Sequence, residues 1–127
     1  MDKKRILVID DEIDLVEMIS IRLEANGYEV FAACDGQEGL DKARRLKPDL
    51  VLLDILMPKL DGFKVCQSLK KDPFTKNIPV IMLTAKDRAD DIKQAKLIGA
   101  NGYIIKPFDA DTLLFDIKEQ LGKVKAD

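Results

Sequence analysis

Five apolar runs of strand length alternate with five stretches of helical periodicity, which restricts the chain to folds built from consecutive βαβ units. The runs are Ile6 to Ile9, Glu29 to Ala33, Leu50 to Leu53, Pro79 to Leu83 and Tyr103 to Ile105. The first helical pattern sets Leu15, Val16, Ile19 and Leu23 on one face and stops at Asn26 and Gly27, a C-cap pair. The second runs from about Gly36 to Leu46, ended by Pro48, and the third from about Phe63 to Lys71, stopping before Asp72 and Pro73. The fourth, from about Arg88 to Ile98, ends at Gly99, and the fifth, from about Ala110 to Leu121, ends at Gly122. Right-handed crossovers with helices on both faces predict an α/β doubly wound sandwich, a flavodoxin-like (βα)5 fold with five parallel strands in order 2-1-3-4-5. The first, third and fourth runs are continuously apolar rather than alternating, as strands buried on both faces are, so they form the middle of the sheet.

A chain of 127 residues with 46% apolar composition suffices for one compact domain and is short for two. The expectation is a single domain, with a core over about residues 4–122 and a short polar tail from Lys123 to Asp127. With 21 basic and 23 acidic residues and a formal charge of −2, the balance argues against nucleic acid as a direct ligand. The longest apolar runs are far too short to cross a membrane, and Met1 leads straight into Asp2, Lys3, Lys4 and Arg5, so the expected location is the cytoplasm. Cys34 and Cys66 lack metal-ligand spacing and are expected to be reduced, buried, structural thiols. The chain has no histidine. Ser/His and Cys/His mechanisms are thereby excluded, and any chemistry must run on carboxylates, hydroxyls, lysine or a bound metal.

Chemistry-bearing residues gather where such a sheet collects its ligands, at the carboxyl ends of the strands. Asp10 and Asp11 follow the first run, Asp54 the third, Thr84 the fourth and Lys106 the fifth. Each has an ordinary reading alone: the acidic pair favours a helix N-terminus, Thr84 and Asp87 suit helix entry, and Lys106 before Pro107 suits a loop. Asp54 is harder to place so, because a carboxylate closing an apolar run must be paired or face the crevice. Occurrence at four strand ends together outweighs the separate readings. Two unit charges about 4 Å apart repel by about 4 kcal/mol at an effective dielectric near 20, so three clustered carboxylates call for compensation. Mg²⁺ meets that need with one or two carboxylates, a carbonyl and waters, leaving room for a phosphoryl oxygen. A carboxylate nucleophile flanked by a metal, the Lys106 ammonium and the Thr84 hydroxyl is a phosphoryl-accepting arrangement.

These segments resemble the receiver domain of two-component response regulators, over about residues 4–122 and with features of its single-domain chemotaxis members. The matching stretches are Ile6-Leu7-Val8-Ile9-Asp10-Asp11-Glu12, Leu53-Asp54-Ile55-Leu56-Met57-Pro58 with Asp61-Gly62, Leu83-Thr84-Ala85 with Gly99-Ala100, and Tyr103 with Lys106-Pro107-Phe108. The resemblance implies that a sensor histidine kinase, or a histidine phosphotransfer protein, phosphorylates Asp54. It implies that Asp10, Asp11, Asp54 and the backbone carbonyl of Leu56 hold Mg²⁺, and that Lys106 contacts the phosphoryl group and precedes a cis bond to Pro107. The residues two after the phosphoacceptor and two after the threonine, Leu56 and Lys86, would influence the lifetime of the adduct.

The resemblance further implies a switch. Thr84 moves toward the phosphoryl group, Tyr103 swings inward, and the surface of the fourth helix, fifth strand and fifth helix is remodelled for a downstream target or a phospho-dependent homodimer. On the helical wheel, Leu113, Leu114, Ile117 and Leu121 set the core face of the fifth helix and leave Phe115 outside it; Leu97 lies opposite the Ile92, Ala95 and Gly99 face of the fourth. Phe115 and Leu97 are therefore candidate apolar anchors flanking Tyr103. Self-phosphorylation and hydrolysis of this kind involve no external turnover, so the chain is not read as a conventional enzyme. The polar tail suggests a stand-alone regulator acting through protein contacts. The rival from another class is a pseudo-receiver that binds partners constitutively. A flavin carrier lacks support, since no Ser/Thr/Gly-rich phosphate loop follows the first strand, and a haloacid-dehalogenase-type phosphatase would need an Asp where Leu56 stands.

Overall fold

A computed structural model describes residues 3–57, 61–85 and 89–125. Its elements are β1 (Arg5–Ile9), α1 (Ile13–Ala25), β2 (Glu29–Ala33), α2 (Gly36–Leu46), β3 (Leu50–Asp54), α3 (Gly62–Lys71), β4 (Val80–Ala85), α4 (Ala89–Leu97), β5 (Gly102–Lys106) and α5 (Ala110–Lys125). All pairings are parallel and the strand order is β2-β1-β3-β4-β5, the flavodoxin-like order expected from the alternation. β1, β3 and β4, apolar over most of their length, are buried and central, whereas β2 and β5 are more exposed and form the edges.

Successive side chains of a strand face opposite sides of the sheet, and the two cores follow that parity. Leu7, Ile9, Val51, Leu53, Val80 and Met82 pack with Ala43, Val65, Cys66, Leu69 and Ala95, so α2, α3 and α4 cover one face. Ile6, Val8, Leu50, Leu52, Ile81, Leu83 and Ile104 pack with Ile19, Leu23, Leu113 and Ile117, so α1 and α5 cover the other. Aspartate side chains start three of the helices: Asp35 accepts the Glu38 N–H, Asp61 the Lys64 N–H and Asp109 the Thr112 N–H, satisfying donors the first turn leaves free.

The structure moves several expected boundaries. β3, β4 and β5 each extend to include Asp54, Thr84 and Lys106 themselves, and Ile55 N–H continues the ladder to the Leu83 carbonyl. Pro79 lies outside β4, though its carbonyl still accepts the Val51 N–H. α5 runs through Gly122 to Lys125 instead of stopping there. A glycine ends a helix by taking the left-handed conformation, as Gly27 and Gly99 do with φ of +91° and +98°. Gly122 is not among the positive-φ glycines, so it costs the helix about 1 kcal/mol relative to alanine without breaking it. Cys66 is buried as expected, but Cys34 is exposed: it follows the end of edge strand β2, where its thiol donates to Glu38 Oε1 at 3.3 Å. Pro58, Lys86, Asp87 and Arg88, which carried expectations of their own, lie outside the described residues.

Candidate functional site

Strand parity decides which side chains meet. Asp54 has the parity of Leu50 and Leu52, and Lys106 that of Ile104, so both belong to the face covered by α1 and α5; Asp10, one step past β1, continues the parity of Ile6 and Val8. β1 and β3 are neighbours, and the Asp10 N–H is fixed to the Ala33 carbonyl of β2 at 3.0 Å. Asp10 and Asp54 are buried. Lys106 reaches over from edge strand β5 and places its Nζ 3.2 Å from Asp10 Oδ2 and 3.4 Å from Asp54 Oδ1. The peptide bond from Lys106 to Pro107 is cis.

Glu12 completes this group. Its Oε1 is 3.0 Å from Lys106 Nζ, and Asp10, Glu12 and Asp54 offer carboxylate oxygens that all lie within 4.8 Å of one another. Asp11 is exposed and does not join that cluster. The turn after β1 accounts for the difference: Asp10 Oδ1 accepts the N–H of Glu12 at 2.9 Å, a local side-chain turn that brings Glu12 to the crevice. The only sequence signal for Glu12 was its place directly after the acidic pair, in the first matching segment.

Burial, and next the neighbouring Asp10 charge, push the Asp54 carboxyl up to about 6, against the opposing pull of Lys106. Burial by itself would lower Lys106, but Glu12, Asp54 and Asp10 together hold its ammonium above the ordinary lysine value. Three carboxylates against one ammonium leave surplus negative charge in a partly buried site. Asp54 Oδ1 accepts the Leu56 N–H at 3.3 Å besides facing Lys106; among the described residues no donor engages Oδ2.

Thr84 is buried on the opposite parity, that of Val80 and Met82, and among the described residues its hydroxyl donates only to the Ala85 carbonyl, at 3.5 Å. Tyr103 pairs in register with Met82 and is partly exposed, with Lys96 Nζ 5.5 Å from its ring centroid. The flanking residues are as the wheel requires: Leu97 is 86% and Phe115 64% exposed, while Leu113 and Ile117 are buried. Leu56 is exposed beside the crevice. Sequence reasoning did not single out the outer face of α1, where Ile13, Met18 and Ile21 are exposed. Next to it a cavity of about 290 Å³ is lined by Glu12, Leu15, Met18, Lys106, Pro107 and Phe108. No helix among the described residues is long and apolar enough to cross a membrane.

Known proteins share both sequence and architecture with this chain. The model of the response regulator receiver domain matches residues 6–118. The DNA-binding dual master transcriptional regulator RpaA of Synechocystis is 45% identical over 117 residues, 92% of this chain and 48% of that protein. The alkaline phosphatase synthesis transcriptional regulatory protein PhoP of Bacillus subtilis is 46% identical over 105 residues, 83% of this chain and 43% of that protein. The chain thus spans about half the length of these relatives. A crystal structure of a putative response regulator from Chloroflexus aurantiacus superposes with a TM-score of 0.92 at 33% identity, covering 95% of this chain and 99% of that one. Chemotaxis protein CheY4 of Vibrio cholerae superposes with a TM-score of 0.88 at 33% identity, covering 93% and 98%. Sequence, topology and the acidic crevice agree, and the chain belongs to the response regulator receiver domain family, whose members are signalling modules rather than conventional enzymes.

Proposed function

We propose that Asp54 accepts a phosphoryl group from a histidine kinase or a histidine phosphotransfer protein, with Mg²⁺, and that the adduct is read by a protein partner on the surface of α4, β5 and α5. The observation that carries this reading is the one-sided convergence of Asp10, Asp54 and Lys106 with Asp54 Oδ2 unengaged among the described residues. The residues present fit a hard divalent cation: the donors are all oxygens, and burial together with the Asp10 charge already raises Asp54. Asp10, Asp11, Asp54 and the Leu56 carbonyl would hold it, Asp11 from its exposed position next to Asp10. Bound there, Mg²⁺ would neutralise charge on the incoming phosphoryl oxygens.

The side chains then divide the work. Lys106 and the Leu56 N–H fix Oδ1, which orients Oδ2 for in-line attack on phosphorus. Lys106 stays positive throughout and draws the transferred oxygens to its side. Thr84, whose contact among the described residues is a long one to the Ala85 carbonyl, would donate to a phosphoryl oxygen. An aspartyl phosphate adds about −1.5 to −2 of charge, which favours the state with Thr84 and Lys106 drawn in. Thr84 and Tyr103 belong to the same face of the sheet, so movement of one opens space beside the other. Leu97, Tyr103 and Phe115 would anchor the partner or a second copy, and the apolar outer face of α1 beside Lys106 would seat the phosphodonor.

Residues 1–127 are taken to act as one domain in the cytoplasm without direct contact to nucleic acid, supported by the family match over 6–118 and the charge of −2. Intact-mass spectrometry after incubation with acetyl phosphate tests the chemistry. One Mg²⁺-dependent phosphoryl adduct is expected on the wild type and none on Asp54→Asn. A folded wild type without any adduct would leave a module that binds its partners constitutively.

A further inference from the structure

Glu12 makes the shortest of the three contacts to Lys106, 3.0 Å against 3.2 Å to Asp10 and 3.4 Å to Asp54. The three carboxylates differ in setting. Asp10 and Asp54 are buried in the crevice, whereas the Glu12 side chain is 61% exposed at its rim. Glu12 is also placed by the site itself, because its N–H is the donor that Asp10 Oδ1 accepts. At the N-cap of α1 its side chain makes no capping hydrogen bond, so its carboxylate is not committed to the helix.

An ammonium and a divalent cation want the same oxygens. If Lys106 settled fully on Asp10 and Asp54, it would occupy the carboxylates that a hard cation needs. Its closest partner instead lies outside that pair.

We infer that Glu12 is a positioning residue: it draws the Lys106 ammonium toward the rim and keeps the Asp10 and Asp54 carboxylates available to Mg²⁺, making the Glu12–Lys106 pair a control on cation affinity. The inference rests on the Mg²⁺-dependent reading of the site. It also gives Lys106 a defined exchange during phosphoryl transfer. As a bond forms from Asp54 Oδ2 to phosphorus, the bond from phosphorus to the donor breaks and the donor leaves with the electron pair, as acetate from acetyl phosphate. The new phosphoryl oxygens then compete with Glu12 for Lys106. Exposed Glu12 can be released into water at little cost.

Mg²⁺ titrations followed by amide chemical shifts, on the wild type, Glu12→Gln, Lys106→Met and the double variant, test the inference. Glu12→Gln is expected to weaken Mg²⁺ binding roughly fivefold in the wild-type background, the lower end of ordinary coupling between sites. In the Lys106→Met background the same change should have less than about a twofold effect, since the residue acts through Lys106. An equal loss in both backgrounds would reduce Glu12 to a simple contributor of negative charge and overturn the inference. No loss in either background would overturn it too. Absence of any Mg²⁺ binding by the folded wild type would instead overturn the reading of the site, and the inference with it.

Discussion

Burial and the adjacent Asp10 charge make the ionised form of Asp54 unfavourable in the native protein, holding its carboxyl at about 6 against an ordinary 3.8. The folded state therefore keeps the Asp54 proton more tightly than the unfolded chain. Its contribution to stability is greatest below about pH 4, falls as the pH rises to about 6, and stays at its lowest above that. The ionised aspartate therefore destabilises the fold. Without divalent cations, Asp54→Asn should accordingly be more stable than the wild type in urea unfolding at pH 7.5, and the gap should close toward pH 4; a constant gap would contradict the assigned cause. At this scale the pattern of chemical types was readable, because carboxylates, a hydroxyl and an ammonium at strand ends have few other uses. That Glu12 joins the Asp10 and Asp54 carboxylates was not legible, since it depends on a side-chain turn at Asp10.

The elements α4, β5 and α5 combine large apolar side chains with exposure. Leu97 lies on the outer side of α4, Phe115 on that of α5, and Tyr103 on the edge strand between them. The helix wheel predicted this correctly, because a 3.6-residue period fixes which positions can reach the core. Phe115→Ala removes exposed ring surface and no core contact. It should leave the Mg²⁺-dependent adduct rate in acetyl phosphate unchanged while weakening phospho-dependent partner binding or self-association by roughly tenfold, the scale of an aromatic anchor; unchanged association by sedimentation and pull-down would remove Phe115 from that surface. The base of the same region is tied down from the other side. Lys70 Nζ donates to the Ile78 carbonyl at 2.9 Å and to Asn101 Oδ1 at 2.8 Å, while Gln120 Nε2 of α5 donates to the Asn101 carbonyl at 2.9 Å. The turn between α4 and β5 is thereby bound to both α3 and α5. The continuation of α5 past Gly122 was not legible, because glycine ends a helix only when its φ turns positive, and that depends on the tertiary contacts open to the next residues.

For the whole molecule, the carboxylates gathered in the crevice repel one another and weaken the fold. Bound at the proposed site, Mg²⁺ should act as a stabilising ligand. At a concentration about a hundred times the dissociation constant, linkage gives about 2.7 kcal/mol, a rise in Tm of roughly 10 °C for a domain of this size. Differential scanning calorimetry with Mg²⁺ and with a matched concentration of NaCl measures it, and equal shifts in the two would exclude a specific site. The sequence by itself determined the strand and helix alternation, the central place of β1, β3 and β4, and the presence of Asp10, Asp54, Thr84 and Lys106 at the strand ends. Hydrophobic periodicity and crossover handedness are local or general constraints that leave few topologies. Only the tertiary structure decided that Lys106 bonds to Glu12 as well as to Asp10 and Asp54, that Asp11 stands outside the cluster, and that Cys34 is exposed. Those outcomes rest on contacts between residues as far as 96 positions apart, and on the conformation of single turns, which side-chain type and spacing do not fix.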